Sequence, residues 1–521
     1  MNDRQKTMHP SEAIEHLVQF ALSKNMIEAF DVSYSRNLLL DLFGLDAPYD
    51  AEVQVDANAQ VSELLEPLLD YAAEIGLLEH NTVTERDLLD ARIMGVLMPR
   101  PSEISRRFFA AEQEQGIQQA TQDFYDLCIY SNYIRMDRIQ KNLYWNYASP
   151  YGDLEITINL SKPEKDPKEI ERLKQIKSSG YPKCLLCVEN VGYAGRLDHP
   201  ARQNHRVLPM QLNGEDWYFQ YSPYLYYNEH SIILRGDHVP MKLTKDTFQR
   251  LLDFVDRFPH YFIGSNADLP IVGGSILSHD HFQAGRHRFP IEQAEVRGSY
   301  RHNAYPELEL RVVRWPMTVI RLIGAKEQVL SAANDLFERW KSHSSPEHDI
   351  FAFSEVDGEK VPHNTVTPIV RRNGENYEMD LVLRNNRRSE EHPEGIFHPH
   401  RPLHHIKKEN IGLIEVMGLA ILPGRLKDEM EQITSLLTGE SRLDDSISSD
   451  SSHPLFKHAA WIEEMLERAN GIDRASAEQL LQEEIGRKFT NVLEDAGVFK
   501  LDEAGNEGLH QFIAGCGWTL Q

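Results

Sequence analysis

The residues best suited to chemistry form one short run, in which His279, His281 and Gln283 occupy alternate positions. Alternate residues of an extended segment point to the same face, so this spacing predicts two imidazoles and an amide side by side. A neutral imidazole is nucleophilic near pH 7 and can displace a leaving group from phosphorus without a separate base. A metal-binding pair or a plain surface pair of histidines has the same spacing, so the triplet alone leaves these alternatives open.

The residues around the triplet favour phosphoryl chemistry. Gly273, Gly274 and Ser275 come just before it, and backbone N–H groups at a glycine turn can approach phosphate oxygens closely. Arg286 follows three residues after Gln283, where a guanidinium can bind phosphate oxygens in a fork, and Arg384 is a later candidate for the same positive charge. A solvated face is the alternative for both arginines, and it is the favoured one for Arg384. We therefore predict a phosphate-binding loop that leads into a nucleophilic histidine.

The run from 266 to 283 (NADLPIVGGSILSHDHFQ) closely resembles the second class of galactose-1-phosphate uridylyltransferases, distant members of the histidine-triad superfamily. Three further segments carry the same resemblance: 155–163 (EITINLSKP), 363–369 (HNTVTPI) and 404–426 (HHIKKENIGLIEVMGLAILPGRL). Together the matched runs span most of the chain between about residues 126 and 426, which makes the match specific.

The resemblance implies an α+β fold with two histidine-triad-like antiparallel-sheet half-domains, flanked by helical N- and C-terminal regions. We expect a helical region over 1–125, a catalytic half over 126–300, a second half over 301–425 and a helical region over 426–521. The sequence agrees, since helical periodicity dominates the first region and branched and aromatic residues follow it. The helical N-terminal region carries no chemical motif and is typical of a packing or oligomerisation module.

Local patterns predict particular elements. Thr84 reads as a helix cap, and Thr244 reads as the N-cap of a helix that runs to residue 258. A second helix is predicted over 326–342, and strands are predicted over 217–227 and 312–319.

The resemblance implies transfer of UMP from UDP-glucose to galactose 1-phosphate through a uridylyl-histidine intermediate. His281 is the expected nucleophile, with His279 and Gln283 completing the catalytic group. In the hydrolytic branch of the superfamily a third histidine stands where this chain has Gln283. An amide cannot donate a proton as an acid, but it can hydrogen-bond a phosphoryl oxygen, which favours a transferase over a hydrolase.

Other residues are expected to bind the substrates. The resemblance implies that Asn266, Gly274 and Ser275 hold the nucleotide phosphates, and that Lys407 and Glu415 meet the hexose. Glu415 lies in an apolar run and needs a partner if it is buried, for which a sugar hydroxyl and an arginine are the alternatives.

Two arginines outside these runs are also candidates for phosphate binding. Arg135 and Arg138 lie at the start of the predicted core and carry the forked guanidinium that suits phosphate oxygens. Ordinary surface charges are the equal alternative for both residues.

Cys184 and Cys187 are spaced as half of a tetrahedral zinc site, although two small buried apolar residues would look the same. The resemblance extends here to the other class of uridylyltransferase, and it implies that His238 and His279 complete the ligand set. His230 competes with His238 for that role. The zinc ion would be structural, holding His279 so that its neighbour two positions on projects correctly.

A second metal such as iron is also considered, because His398 and His400 echo the first histidine pair in the second half. His392 or a nearby carboxylate would complete that site. A histidine-rich loop is the alternative, and no glycine loop or glutamine accompanies this pair.

Composition limits the partners and the compartment. The 521 residues carry 55 basic and 80 acidic side chains, a net charge of −25, which disfavours nucleic acid or an anionic membrane as a partner. Four cysteines do not make a disulfide framework, and no signal or membrane-spanning segment is recognisable. We expect a cytoplasmic homodimer. The rival functions are a nucleoside polyphosphate phosphorylase or other nucleotidyltransferase, and a non-catalytic metal- or nucleotide-binding protein.

Overall fold

The computed structural model describes residues 8–161, 180–444, 446–469 and 471–521. The chain divides into two compact units. The first contains Met1–Lys141 and Ser161–Val239, and the second contains Asn142–Leu160 and Pro240–Gln521. These units do not follow the predicted boundaries near residues 125, 300 and 425, so the division into four regions stays a prediction.

Most α-helices of the described residues lie toward the two ends of the chain, and the helices between the strands include two long ones of 13 and 17 residues. The α-helices are α1 (Pro10–Ser23), α2 (Val32–Phe43), α3 (Val61–Glu74), α4 (Val83–Val96), α5 (Pro101–Gln115), α6 (Ile117–Tyr130), α7 (Met136–Ile139), α8 (Lys245–Arg257), α9 (Pro290–Gln293), α10 (Lys326–Ser342), α11 (Leu413–Val416), α12 (Arg425–Leu437), α13 (Ser446–Ser449), α14 (Ala459–Arg468), α15 (Arg474–Ala496) and α16 (Glu503–Gly515).

The strands occupy the middle of the chain, apart from a short one at the C-terminus. They are β1 (Leu143–Ser149), β2 (Gly152–Asn159), β3 (Leu208–Leu212), β4 (Glu215–Tyr221), β5 (Ser231–Arg235), β6 (Phe262–Gly264), β7 (His281–Gly285), β8 (Val296–His302), β9 (Tyr305–Val313), β10 (Val319–Gly324), β11 (Phe353–Val356), β12 (Glu359–Pro362), β13 (Asn364–Asn373), β14 (Asn376–Asn385), β15 (Leu419–Pro423) and β16 (Thr519–Leu520).

Helices α1 to α6 build most of the first unit. Helices α1 to α4 pack around an apolar core that includes Leu17, Leu39, Leu65 and Ile93, each of which is almost completely buried. The predicted cap at Thr84 is wrong by two positions, because the side chain of Thr82 accepts the hydrogen bond from the Glu85 N–H and α4 begins at residue 83.

The first unit also contains an antiparallel arrangement in which β4 pairs with both β3 and β5. The strand predicted over 217–227 is shorter than expected, since β4 ends at Tyr221. Pro223 follows shortly after, and a proline has no N–H to donate to a sheet ladder.

In the second unit, eight strands are hydrogen-bonded in the order β16, β8, β9, β10, β14, β13, β6, β7. Each neighbouring pair is antiparallel. Strands β13 and β14 are buried along most of their length on both faces, so polar groups there need partners inside the protein. A smaller sheet has the order β1, β2, β15, with β15 parallel to β2.

The second unit confirms the predicted helices and corrects one strand. Helix α8 starts directly after Thr244, which caps it, and α10 has the predicted bounds. The strand predicted over 312–319 is instead the end of β9 and the start of β10, separated by a break that contains Pro316. The α+β class with large antiparallel sheets is confirmed. No helix in the described ranges combines the length and apolar character that a membrane crossing requires.

Candidate active site

Strand β7 begins at the predicted nucleophile. It pairs with β6, and the pairing sets Gln283 opposite Gly264. His281 and Gln283 are two residues apart on this strand and therefore point to the same face, as predicted. His281 is 7% exposed and Gln283 is half-buried, while His279, in the loop before the strand, is fully buried.

The backbone of His279 orients the ring of His281. The Nδ1 atom of His281 lies 2.8 Å from the carbonyl oxygen of His279, and because a carbonyl only accepts, Nδ1 carries the proton and donates it. The lone pair is then on Nε2. Burial lowers the pKa of His281 to about 4, and the bond to the His279 carbonyl only partly opposes this shift. The ring is therefore a neutral imidazole near pH 7, which is the nucleophilic form.

The two glycines of the loop lie so close to neighbouring atoms that a Cβ at either position would force those atoms to move. A Cβ at Gly273 would lie 2.5 Å from the carbonyl oxygen of Ala267, and a Cβ at Gly274 would lie 2.6 Å from the Nδ2 atom of Asn266. Ser275 follows and is exposed. The loop therefore presents its backbone and a serine hydroxyl at the point where the chain turns toward β7.

Asn266 joins this loop to the start of α11. Its Oδ1 accepts a hydrogen bond of 2.9 Å from the Leu413 N–H, so its amide nitrogen is the part that can donate to a ligand. Asn410 makes a second connection, donating from Nδ2 to the Gly273 carbonyl at 3.3 Å. The glycine loop and the segment around α11 are thus in direct contact within the second unit.

Lys407 and Glu415 form a buried ion pair. The Lys407 Nζ lies 2.7 Å from Glu415 Oε1 and 3.1 Å from the Ile421 carbonyl, and both side chains are less than a tenth exposed. Glu415 Oε2 also accepts from the Gly412 N–H at 3.2 Å. The partner that the sequence required for a buried Glu415 is therefore a lysine, which neither of the two alternatives had named.

Arg286 comes directly after β7 and is exposed. The neighbouring His287 lies 2.9 Å from the Glu155 carboxylate of β2. Arg286 therefore projects from the end of the strand that carries His281 and Gln283, where its charge is open to solvent.

Arg135 and Arg138 lie in the first unit and both contact carboxylates of α4. Arg138 makes a two-pronged pair with Asp87 at 2.6 and 2.9 Å, and Arg135 lies 2.8 Å from Asp90. These ion pairs fix the start of the core against α4. They do not test phosphate binding, which stays a prediction for both arginines.

The structure brings Cys184, Cys187 and His238 together in the first unit. The two Sγ atoms are 3.5 Å apart, and the Cys187 Sγ lies 3.2 Å from His238 Nδ1. A tetrahedral zinc ion with Zn–S bonds of about 2.3 Å separates two sulfurs by about 3.7 Å, so this donor set fits a metal ion. His230, the competitor, instead hydrogen-bonds the Tyr224 carbonyl at 2.7 Å.

The predicted second metal site has less support. The rings of His392 and His400 stack with centroids 4.1 Å apart, and His400 lies 3.3 Å from Asp495. Within the described ranges, these residues and His398 do not form a group of three or more ligand atoms at metal-binding distance. The second metal stays a prediction.

Arg384, near the end of β14, is a candidate source of positive charge for which a solvated face was the favoured interpretation, and the structure corrects that interpretation. Arg384 is 1% exposed and donates to the Ile411 carbonyl at 3.0 Å, next to the segment that contacts Asn266. A strand buried on both faces gives no alternation from which this burial could be predicted.

Three relatives match nearly the full chain. Proteins named galactose-1-phosphate uridylyltransferase are 56% identical in Caldanaerobacter subterraneus, 51% in Halalkalibacterium halodurans and 48% in Bacillus subtilis. The alignments cover 97%, 96% and 96% of this chain and 98%, 97% and 97% of those proteins.

Two family models match consecutive parts of the chain. The model of the galactose-1-phosphate uridyl transferase N-terminal domain matches residues 25–240, and that of the C-terminal domain matches residues 254–448. Together they cover well over half of the sequence. The chain therefore belongs to the galactose-1-phosphate uridylyltransferase family.

Proposed function

We propose that this protein transfers UMP from UDP-glucose to galactose 1-phosphate, with His281 as the nucleophile, in the galactose branch of carbohydrate metabolism. The observation that carries the proposal is the hydrogen bond from His281 Nδ1 to the His279 carbonyl, which leaves Nε2 as the free lone pair. Family membership and the names of the full-length relatives supply the substrates.

The reaction consists of two displacements at one phosphorus. His281 Nε2 attacks the α-phosphorus of UDP-glucose, an N–P bond forms, and the P–O bond to glucose 1-phosphate breaks. A phosphate oxygen of galactose 1-phosphate then attacks the same phosphorus, and the N–P bond breaks to give UDP-galactose. The leaving and attacking groups are already phosphates, so little acid catalysis is needed. Positioning of the substrates and nearby positive charge supply most of the reduction in the activation barrier.

The hydrogen bond to His279 also serves the intermediate. Once Nε2 bonds to phosphorus, the ring keeps its Nδ1 proton and becomes cationic. The carbonyl oxygen that accepts from Nδ1 is then the negative end of a dipole 2.8 Å from that cation. One contact thus selects the reactive tautomer and stabilises the covalent state.

The phosphate groups would be held at the start of β7. Gln283 shares a face with His281 and can donate its amide N–H groups to a phosphoryl oxygen. Asn266 keeps its amide nitrogen beside Gly274, Ser275 is exposed, and Arg286 projects from the end of the strand. We propose that these groups bind the nucleotide phosphates.

Lys407 and Glu415 would bind the hexose part. Their ion pair contacts the segment that hydrogen-bonds the glycine loop, which supports a role close to the phosphates. A carboxylate and an ammonium group that already pair with each other can exchange part of that contact for sugar hydroxyls.

We propose that the metal is zinc, with Cys184, Cys187, His238 and His279 as its ligands. The three residues of the first unit support this by their spacing, and the fourth rests on the resemblance. A bound zinc ion would have a structural role and would hold these four side chains in place. Because the His279 carbonyl also accepts the hydrogen bond from His281 Nδ1, fixing the backbone of His279 fixes the nucleophile.

The substrates are the partners that we propose with the activity. A homodimer, a cytoplasmic location and the lack of nucleic-acid or membrane binding stay predictions. Size-exclusion chromatography and cell fractionation would check the first two.

The proposal is tested by steady-state kinetics with purified protein. We expect UDP-galactose to form from UDP-glucose and galactose 1-phosphate, with parallel double-reciprocal lines that show the first product leaving before the second substrate binds. A nucleoside polyphosphate phosphorylase would instead cleave diadenosine tetraphosphate with inorganic phosphate. A binding protein without catalysis would release no glucose 1-phosphate, and either result would contradict the proposal.

A further inference from the structure

Arg384 is a buried cation whose guanidinium contacts no carboxylate among the described residues. Its Nη1 donates to Thr367 Oγ1 at 3.3 Å and its Nη2 donates to the Ile411 carbonyl at 3.0 Å. Its Nε is buried and has no hydrogen-bond partner in the part of the chain that the structure describes. The Nε donor of a side chain that is only 1% exposed is thus unused.

The charge of Arg384 is only partly compensated. The carboxylate that acts on it through space is Glu415, and that group already pairs with Lys407 at 2.7 Å. Lys407 also lies 3.9 Å from the exposed carboxylate of Glu409. Both carboxylates therefore pair with Lys407, and neither pairs directly with Arg384. Burial lowers the pKa of Arg384 to about 10, so it is still a cation near neutral pH. Burying an excess charge is costly, by several kcal/mol per ion, unless an opposite charge arrives.

Arg384 also supports the segment that touches the glycine loop. Ile411, whose carbonyl it holds, lies between Asn410 and Leu413. Asn410 donates to the Gly273 carbonyl and the Leu413 N–H donates to Asn266. A shift of the guanidinium would therefore move the segment that fixes Asn266, the residue that lies against Gly274.

We infer that Arg384 is a positioning residue for a phosphorylated hexose. It holds the 410–413 segment through the Ile411 carbonyl and places beside it a buried positive charge that no carboxylate of the described residues contacts directly, which the phosphate of the substrate balances. This inference rests on the proposed function and deepens it, because it separates recognition of the phosphate from recognition of the sugar. The excess charge favours galactose 1-phosphate over galactose, which has the same ring and no anion.

The test measures binding by the rise in melting temperature of the full-length protein as galactose 1-phosphate is added. Arg384→Met removes the charge and the fork, and Arg384→Lys keeps the charge but not the fork. Arg388→Met removes an exposed charge nearby and serves as the control. Galactose and inorganic phosphate are separate probes, and KM for galactose 1-phosphate and kcat are measured in parallel.

We expect Arg384→Met to need about tenfold more galactose 1-phosphate for half-saturation, a typical loss for one charged contact, with KM raised more than kcat is lowered. Arg384→Lys should lie between it and wild type, Arg388→Met should match wild type, and any weak galactose binding should not change. If Arg384→Met binds galactose 1-phosphate like wild type, or if its ligand-free melting temperature falls while its affinity is unchanged, this inference is overturned and the proposed function is not affected. If wild-type protein neither binds galactose 1-phosphate nor transfers UMP, the proposed function is wrong, and the inference that rests on it is wrong as well.

Discussion

Strand β14 carries two buried clusters of charge that differ in their balance. Toward its start, Asp380 lies 2.6 Å from Arg321 and 2.9 Å from Arg371, and both Glu378 and Glu292 also approach Arg371. Toward its end, Arg384 meets only a hydroxyl and a carbonyl directly. The first cluster pairs every cation with carboxylates, whereas the second leaves a positive charge without a partner.

This difference separates a structural role from a functional one. A network in which each buried cation has a carboxylate partner joins strands β10, β13 and β14 and needs no ligand. A cation buried without such a partner makes the ligand-free protein less stable than it would otherwise be, and an anionic substrate repays that loss. Changes at the balanced cluster should therefore affect stability, and changes near the other end should affect catalysis and binding.

The largest expected effect is on catalysis and comes from replacing the nucleophile. We predict that His281→Ala lowers UMP transfer by at least about ten-thousandfold, because it removes the atom that bonds to phosphorus. Activity is measured as UDP-galactose formed per mole of folded protein. His80→Ala, which changes an exposed histidine of the first unit, is the control and should keep full activity. Normal turnover by His281→Ala would contradict the assignment of the nucleophile.

The balanced cluster should show the opposite behaviour. We predict that Asp380→Asn lowers the free energy of unfolding of the second unit by about 3–5 kcal/mol, because it removes the buried carboxylate that contacts both Arg321 and Arg371. Urea denaturation measures this, with Asp41→Asn on the exposed side of α2 as the matched control. The folded protein should keep its KM for galactose 1-phosphate. A loss of substrate affinity without a loss of stability would reverse our reading of this cluster.

The pH dependence of stability in wild type and Asp380→Asn tests the same cluster. Burial alone would raise the pKa of Asp380, but Arg321 and Arg371 together bring it below its ordinary value. A carboxylate with a lowered pKa in the folded state stabilises the protein above its unfolded pKa of about 3.9 and loses that effect as pH falls through the folded pKa. The stability difference between wild type and Asp380→Asn should therefore be full at pH 7 and shrink below about pH 4. A difference that grows on acidification would exclude this cause.

The smallest expected effect compares two neighbouring glycines. A Cβ at Gly273 meets the backbone carbonyls of Ala267 and Leu269 at 2.5 and 2.7 Å, whereas a Cβ at Gly274 meets the end of the Asn266 side chain at 2.6 Å. We predict that Gly273→Ala costs about 1–3 kcal/mol of stability, because backbone must move. Gly274→Ala should cost less stability but lower activity by displacing the Asn266 amide. Thermal unfolding and UMP transfer, measured on both variants, would show whether these two effects separate.

The sequence was most informative where function depends on local spacing. Alternation predicted that His279, His281 and Gln283 share a face, which is confirmed for the two residues on β7, whereas His279 lies before that strand. The spacing of Cys184 and Cys187 predicted neighbouring thiols. Thr244 was recognised as a cap because a cap depends on residues within one turn. In each case the interacting groups are close in the sequence.

The predictions failed or stayed open where distant segments decide. The choice between His230 and His238 depends on the turn after β5, more than forty residues beyond the cysteines. The burial of Arg384 depends on the Ile411 segment, which is 27 positions away. The strand predicted over 312–319 ignored Pro316, which interrupts a ladder that the apolar residues alone would continue.

The most direct test of the central claim is mass spectrometry of the intact protein after mixing with UDP-glucose alone. We predict one covalently bound uridylyl group per active chain, released by galactose 1-phosphate, and peptide mapping should place it on His281. An adduct on another residue, or rapid exchange of glucose 1-phosphate with no covalent adduct at any time, would contradict this prediction.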